Sequence, residues 1–88
     1  MKVYRVEVDY GIDNQWTEGH YSTLEKAKSK AIHQMDLETK EVLEEALDAL
    51  ETEEMVLDDF TGPIVFGINA KLNGRWSFGV YVYQIEVE

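Results

Sequence analysis

Eighty-eight residues are enough for one domain, residues 1–88, and for one modest core. Eighteen Asp and Glu against eight Lys and Arg leave a net charge of −10, which argues against unaided binding to nucleic acid or to an anionic membrane and favours a basic partner, or solubility alone. With no cysteine there is neither a disulfide framework nor a cysteine zinc site, and 44% hydrophobic residues are too many for a disordered acidic tail.

The first ten residues, MKVYRVEVDY, alternate Tyr4, Val6, Val8 and Tyr10 on one face against Val3, Arg5, Glu7 and Asp9 on the other. Such period-two alternation is a half-buried strand and not a signal peptide. No apolar stretch approaches the ~20 residues that span a bilayer, so a soluble cytoplasmic protein is expected. GIDNQ at 11–15 supplies turn residues, and 16–21 reads as a short returning strand that closes a hairpin.

Ser22 and Glu25 have the spacing of a capping box, followed by a helix with Leu24, Ala27, Ala31 and Met35 in one stripe and Ile32 beside it. Lys26, Lys28 and Lys30 make its outer face basic. Asp36 can cap a second helix. No Gly or Pro separates the two segments, so the alternative is one helix from 23 to about 57. That helix would be about 50 Å long, too long for so small a domain, and a break near Asp36 is the expectation.

The second segment carries Val42, Leu43, Ala46, Leu47, Ala49 and Leu50 on one arc, opposite Glu41, Glu44, Glu45, Asp48 and Glu51. That is a strongly amphipathic pattern, from which Met55, Val56 and Leu57 depart. DDFTGP at 58–63 reads as a connector anchored by Phe60. Ile64, Phe66, Ile68, Ala70 and Leu72 alternate as a third strand, Asn73-Gly74 is a type I′ hairpin turn, and 75–87 returns as a fourth strand.

Direct pairing across that turn sets Leu72 opposite Arg75, Ala70 opposite Ser77, Ile68 opposite Gly79, Phe66 opposite Tyr81 and Ile64 opposite Tyr83. Ile64, Phe66, Ile68, Tyr81, Tyr83, Ile85 and Val87 then share one face, and Val65, Lys71, Trp76, Phe78, Val80 and Val82 the other. One core cannot use two apolar faces. Either Gly67 and Gly79 mark a bulge that lets the strand change faces, or Trp76, Phe78 and Val80 form an exposed contact patch. The expected fold is α+β: a four-stranded antiparallel sheet of two hairpins in the order ββααββ, with one or two helices on one face.

GHYSTLEKAKSKA at 19–31, after the strand KVYRVEVDY, resembles small phage and bacterial α+β domains of unknown function, which run strand, Gly-x-Tyr-Ser-Ser/Thr, helix. The resemblance spans the first third of the chain and implies a fold class and a phage-like or bacterial origin, with no active site to transfer.

Catalysis is not expected. His20 and His33 are the only histidines, and neither a nucleophile nor a Gly-rich phosphate loop accompanies them. Asp9, Asp13, Asn14 and Glu18 offer oxygen ligands without EF-hand spacing, so neither metal nor cofactor is expected. The three lysines of the first helix read as a solvated face or as salt-bridge partners of the acids that follow.

Residues 36–59 hold eleven acids and one lysine, Lys40, and so carry the whole net charge. Read as a helix, residues 41–54 contain six like-charge pairs at i,i+3 or i,i+4: Glu41–Glu44, Glu41–Glu45, Glu44–Asp48, Glu45–Asp48, Asp48–Glu51 and Glu51–Glu54. These cost about 1–3 kcal/mol. That is a sizeable share of a stability of about 4–13 kcal/mol, and a face that breaks local rules without structural gain is a candidate functional surface. At 1.5 Å per residue the segment would also carry one net charge per about 3.6 Å, close to the roughly 3.4 Å of one DNA strand.

The expected function is therefore a small acidic protein-binding protein, a phage-type inhibitor that occludes the basic surface of a nucleic-acid-binding protein or nuclease complex by DNA mimicry. Its contacts would be Glu41, Glu44, Glu45, Asp48, Glu51, Glu54, Asp58 and Asp59. The alternative is an interaction module or homodimer built on the Trp76, Phe78 and Val80 face.

Overall fold

The computed structural model describes residues 1–45, 50–55 and 62–87, without the side chains of residues 43–45. Its elements are β1 (Lys2–Asp9), β2 (Gln15–Tyr21), α1 (Leu24–Glu45), β3 (Leu50–Glu54), β4 (Ile64–Leu72) and β5 (Arg75–Glu86). They form an antiparallel five-stranded sheet, ordered β2-β1-β5-β4-β3, with, among the described residues, a single helix packed against β5, β1, β4 and β2. The α+β class holds. The expected four-stranded sheet and ββααββ order do not, because what reads locally as the end of a second helix is a fifth strand.

The first and last strands lie side by side at the centre, so the sheet closes only when the two ends of the chain meet. Along β1 the inward residues are those of the alternation: Val6 and Val8 are fully buried, with Tyr4 and Tyr10 packed on the core margin. The rest of the core is Phe66, Ile68 and Ala70 from β4, Phe78, Val80 and Val82 from β5, and Ala27, Ala31 and Met35 from α1. Each fully buried Val or Phe contributes about 1.5–3 kcal/mol relative to exposure.

A bulge resolves the two apolar faces. Ala70 pairs with Phe78 while Lys71 pairs with Trp76, so Ser77 has no cross-strand partner and the register beyond it moves by one. Phe78, Val80 and Val82 thereby join Ala70, Ile68 and Phe66 under the helix, while Tyr81 and Tyr83 turn to the other face. A one-residue slip exchanges every side chain between faces, and direct pairing from the Asn73-Gly74 turn misplaces β5 for that reason. The turn itself is as expected, with φ of 53° and 79°. Gly67 and Gly79 serve another purpose: a Cβ at either would run into the Tyr81 side chain, so both make room for that ring on the open face.

Helix α1 runs through Asp36 without a break. Its inner stripe, Leu24, Ala27, Ala31, Gln34, Met35, Glu38 and Val42, keeps a three-to-four spacing past that point, and Asp36 faces solvent. Ile32 is 50% exposed and lies off the stripe. The cap is Thr23 and not Ser22, since Thr23 Oγ1 accepts from the Lys26 N–H at 3.2 Å.

By Leu50 the chain is extended. Leu50, Thr52 and Glu54 pair with Leu72, Ala70 and Ile68, and the Met55 N–H continues the ladder to the Gly67 carbonyl at 2.8 Å. LETEE has little strand propensity of its own. It is a strand because β4 would otherwise leave a row of backbone donors and acceptors without partners.

Among the described residues no helix is long and apolar enough to cross a membrane.

Candidate docking surface and an adjoining cleft

The acidic residues do not form one helical track. Glu41 lies exposed on α1, and the backbones of Glu44 and Glu45 continue that helix, their side chains being outside the described residues. Leu43 belongs to that group too. Ala46, Leu47, Asp48, Ala49, Val56, Leu57, Asp58, Asp59 and Phe60 also lie outside the described residues. Glu51 and Glu53 pair with Lys71 and Asn69 on the open face of the sheet, and Glu54 stands on the helix-bearing face beside Ile68. Strand alternation thus separates Glu51 from Glu54, which a helix would have aligned. Glu51 and Glu54 are not helical neighbours, and because residues 50–54 are a strand no single helix carries the spacing that matched a nucleic-acid strand across residues 36–59.

Charge is nevertheless left uncompensated. Glu53 Oε2 meets Lys71 Nζ at 3.3 Å, while among the described residues Asp36, Glu41, Glu51 and Glu54 form no ion pair and all are exposed. Glutamates on an edge strand also discourage another strand from pairing there.

Phe78 and Val80 are fully buried beneath α1 and cannot form the contact patch; only Trp76 of that trio is accessible, at 44%. It lies on the open face, where its Nε1 donates to Asn69 Oδ1 at 3.1 Å and to the Tyr81 hydroxyl at 3.2 Å. The Tyr81 hydroxyl in turn donates to Asn69 Oδ1. Burial raises the pKa of this phenol, the Trp76 hydrogen bond lowers it and the charge of Asp9 raises it further. Alongside, the Arg5 guanidinium sits 4.8 Å from the centre of the Tyr83 ring, and its Nη2 is 3.6 Å from Glu7 Oε2. His20 and His33 are exposed, and Asp9 Oδ1 accepts from the Gly11 N–H within the hairpin turn.

A second feature lies where α1 crosses the tip of the β1–β2 hairpin. The inner stripe of the helix turns polar there: Gln34 and Glu38 are each only 6% exposed. Tyr10, Asn14, Trp16, Glu38, Glu41 and Val42 line a cleft of about 270 Å³. Trp16 stacks on Tyr10 (centroids 5.6 Å apart, planes at 11°), and Tyr10 stacks on core Phe78 (4.8 Å, 16°). Trp16 Nε1 donates to Glu18 Oε1, and the Tyr10 hydroxyl donates to Glu38 Oε1 at 3.2 Å. No other donor reaches Glu38 from the described residues. Burial pushes the Glu38 carboxyl above the usual carboxylate range; the Tyr10 hydrogen bond pulls it back, and the charges of Glu41 and Glu18 raise it again.

Sequence reasoning passed over Tyr10, Trp16, Glu18 and Glu38 as a group, although one signal was there. Glu38 falls seven residues beyond Ala31 on the buried stripe, a polar residue at a core position. Comparison with protein-family models, curated proteins and solved structures finds no match to this chain.

Proposed function

We propose that this chain is a small acidic docking protein that binds, without turnover, a basic surface on another protein. The observation that carries the reading is the confinement of the whole net charge to residues 36–59, with four of the described acids there exposed and lacking any cationic partner among the described residues. A natural target is the groove of a nucleic-acid-binding protein or nuclease, which the acids would occlude in the manner of DNA. With the described acids divided between a helix and an edge strand, the likeness to nucleic acid rests on charge and not on a phosphate-like rise. Such an inhibitor would act in the cytoplasm, the host cytoplasm if the protein is phage-encoded. Electrostatic docking of this kind is steep in salt and fast to form.

The test is affinity capture of bacterial nucleic-acid-binding proteins with the native chain and with a Glu51→Lys/Glu54→Lys variant. The reading expects a captured protein that duplex DNA and 0.5 M salt both release and that the variant holds at least tenfold more weakly. Equal capture by both forms would sink it.

A second reading has its own observation, the accessible Trp76 on a sheet face that no described element covers. On that reading the chain is an interaction module or homodimer, and sedimentation should find a salt-insensitive dimer that Trp76→Ala dissociates.

A further inference from the structure

We propose that the cleft between the β1–β2 hairpin and α1 is a receptor for a single arginine side chain of the basic partner. The inference rests on the docking reading above, whose partner it equips with a defined anchor.

Four features point to that ligand. The first is size: about 270 Å³ is below the roughly 300–1,000 Å³ of sites for whole small molecules, and suits one side chain. The second is the wall. Tyr10 and Trp16 are locked in a three-ring stack that begins at buried Phe78, and the Trp16 indole is tied to Glu18. A ring held in advance loses little freedom when a cation settles against it.

The third is Glu38. It is more than nine-tenths buried, it lines the cleft, and its carboxylate has one protein donor, the Tyr10 hydroxyl, among the described residues. A carboxylate in so closed a place is poorly hydrated, and a donor bearing positive charge offsets that cost. The fourth is the rim, where Glu41 lines the cleft, exposed, and Glu18 stands beside Trp16.

An aromatic wall with carboxylates beside it matches a guanidinium better than an ammonium. Guanidinium is planar, stacks on rings, donates in a fork and sheds water more readily.

The experiment is a titration of the ¹⁵N-labelled chain with N-acetyl-arginine amide, its lysine counterpart and the neutral isostere N-acetyl-citrulline amide. Arginine amide should give saturable shifts centred on Tyr10, the Trp16 indole, Glu38 and Val42. Lysine amide should bind several-fold more weakly, and citrulline amide should leave these signals unmoved. Glu38→Gln should weaken arginine amide at least tenfold. Trp16→Ala, at a partly exposed position, serves the same purpose if the first variant folds poorly.

Shifts that do not saturate, that spread evenly over all the acids, that citrulline reproduces or that both variants retain would overturn the inference. Its failure is separable from that of the docking reading. If Glu51→Lys/Glu54→Lys captures as well as the native chain while arginine amide still saturates the cleft, only the docking reading falls. If a basic partner is bound equally by the native chain, Glu38→Gln and Trp16→Ala, the cleft inference alone falls.

Discussion

Glu38 contributes one negative charge to a count of eleven, yet its position sets it apart from the other described acids of residues 36–59. It sits on the inner stripe of α1, under the hairpin tip, with burial opposing its charge. Its folded pKa lies above the unfolded value of ~4.3. The native state therefore binds more protons than the unfolded state in the window between the two, and stability falls as pH rises through it. Urea midpoints measured from pH 4 upward should decline across that window in the native chain. The decline should be smaller in Glu38→Gln, which should also be the more stable form at pH 7. Parallel profiles for the two proteins would mean that burial of this charge carries no penalty. Subtracting one profile from the other removes the general acidic self-repulsion, which both proteins share.

At the scale of elements, local signals were dependable where one face of an element was buried and its backbone needed nothing from elsewhere. β1, the Asn73-Gly74 turn and the start of α1 are of that kind. The cap moved by one residue, and that is measurable: Thr23→Ala should cost about 1 kcal/mol (0.5–2), while Ser22→Ala should cost almost nothing. The reverse order in thermal unfolding would restore Ser22 as the cap. Asp36, a good cap by type, stays inside the helix because the apolar stripe continues past it and tertiary packing outweighs a capping preference. β3 is the opposite case. Its glutamates favour a helix by propensity, but the free edge of β4 offers a complete set of backbone hydrogen bonds.

For the whole molecule, the decisive event is the Ser77 bulge, because it selects which half of β5 becomes core. Phe78 then stacks on Tyr10 beneath the helix, and Trp76 remains on the open face. Phe78→Ala should cost about 3–5 kcal/mol, enough to leave so small a domain close to unfolding. Trp76→Ala should cost on the order of 1 kcal/mol through its lost hydrogen bonds. Comparable losses in denaturant unfolding would mean that the register assigned to β5 is wrong. Among acids whose side chains are described, α1 holds one like-charge pair at i,i+3 or i,i+4, Glu38–Glu41. That pair costs about 0.2–0.5 kcal/mol.

What the sequence determined by itself is whatever depends on neighbours a few residues away: alternation in β1, the type I′ turn, the amphipathic stripe of α1 and the confinement of charge to residues 36–59. From these the α+β class and the expectation of a basic partner could be read. Only the tertiary structure decided the fifth strand, the face each residue of β5 presents, and the meeting of Tyr10, Trp16 and Glu38 in one cleft. The reason is common to all three. Each is set by which backbone groups lack partners and which side chains remain to be buried once distant strands have paired, and that is a property of the assembled sheet, not of any window along the chain.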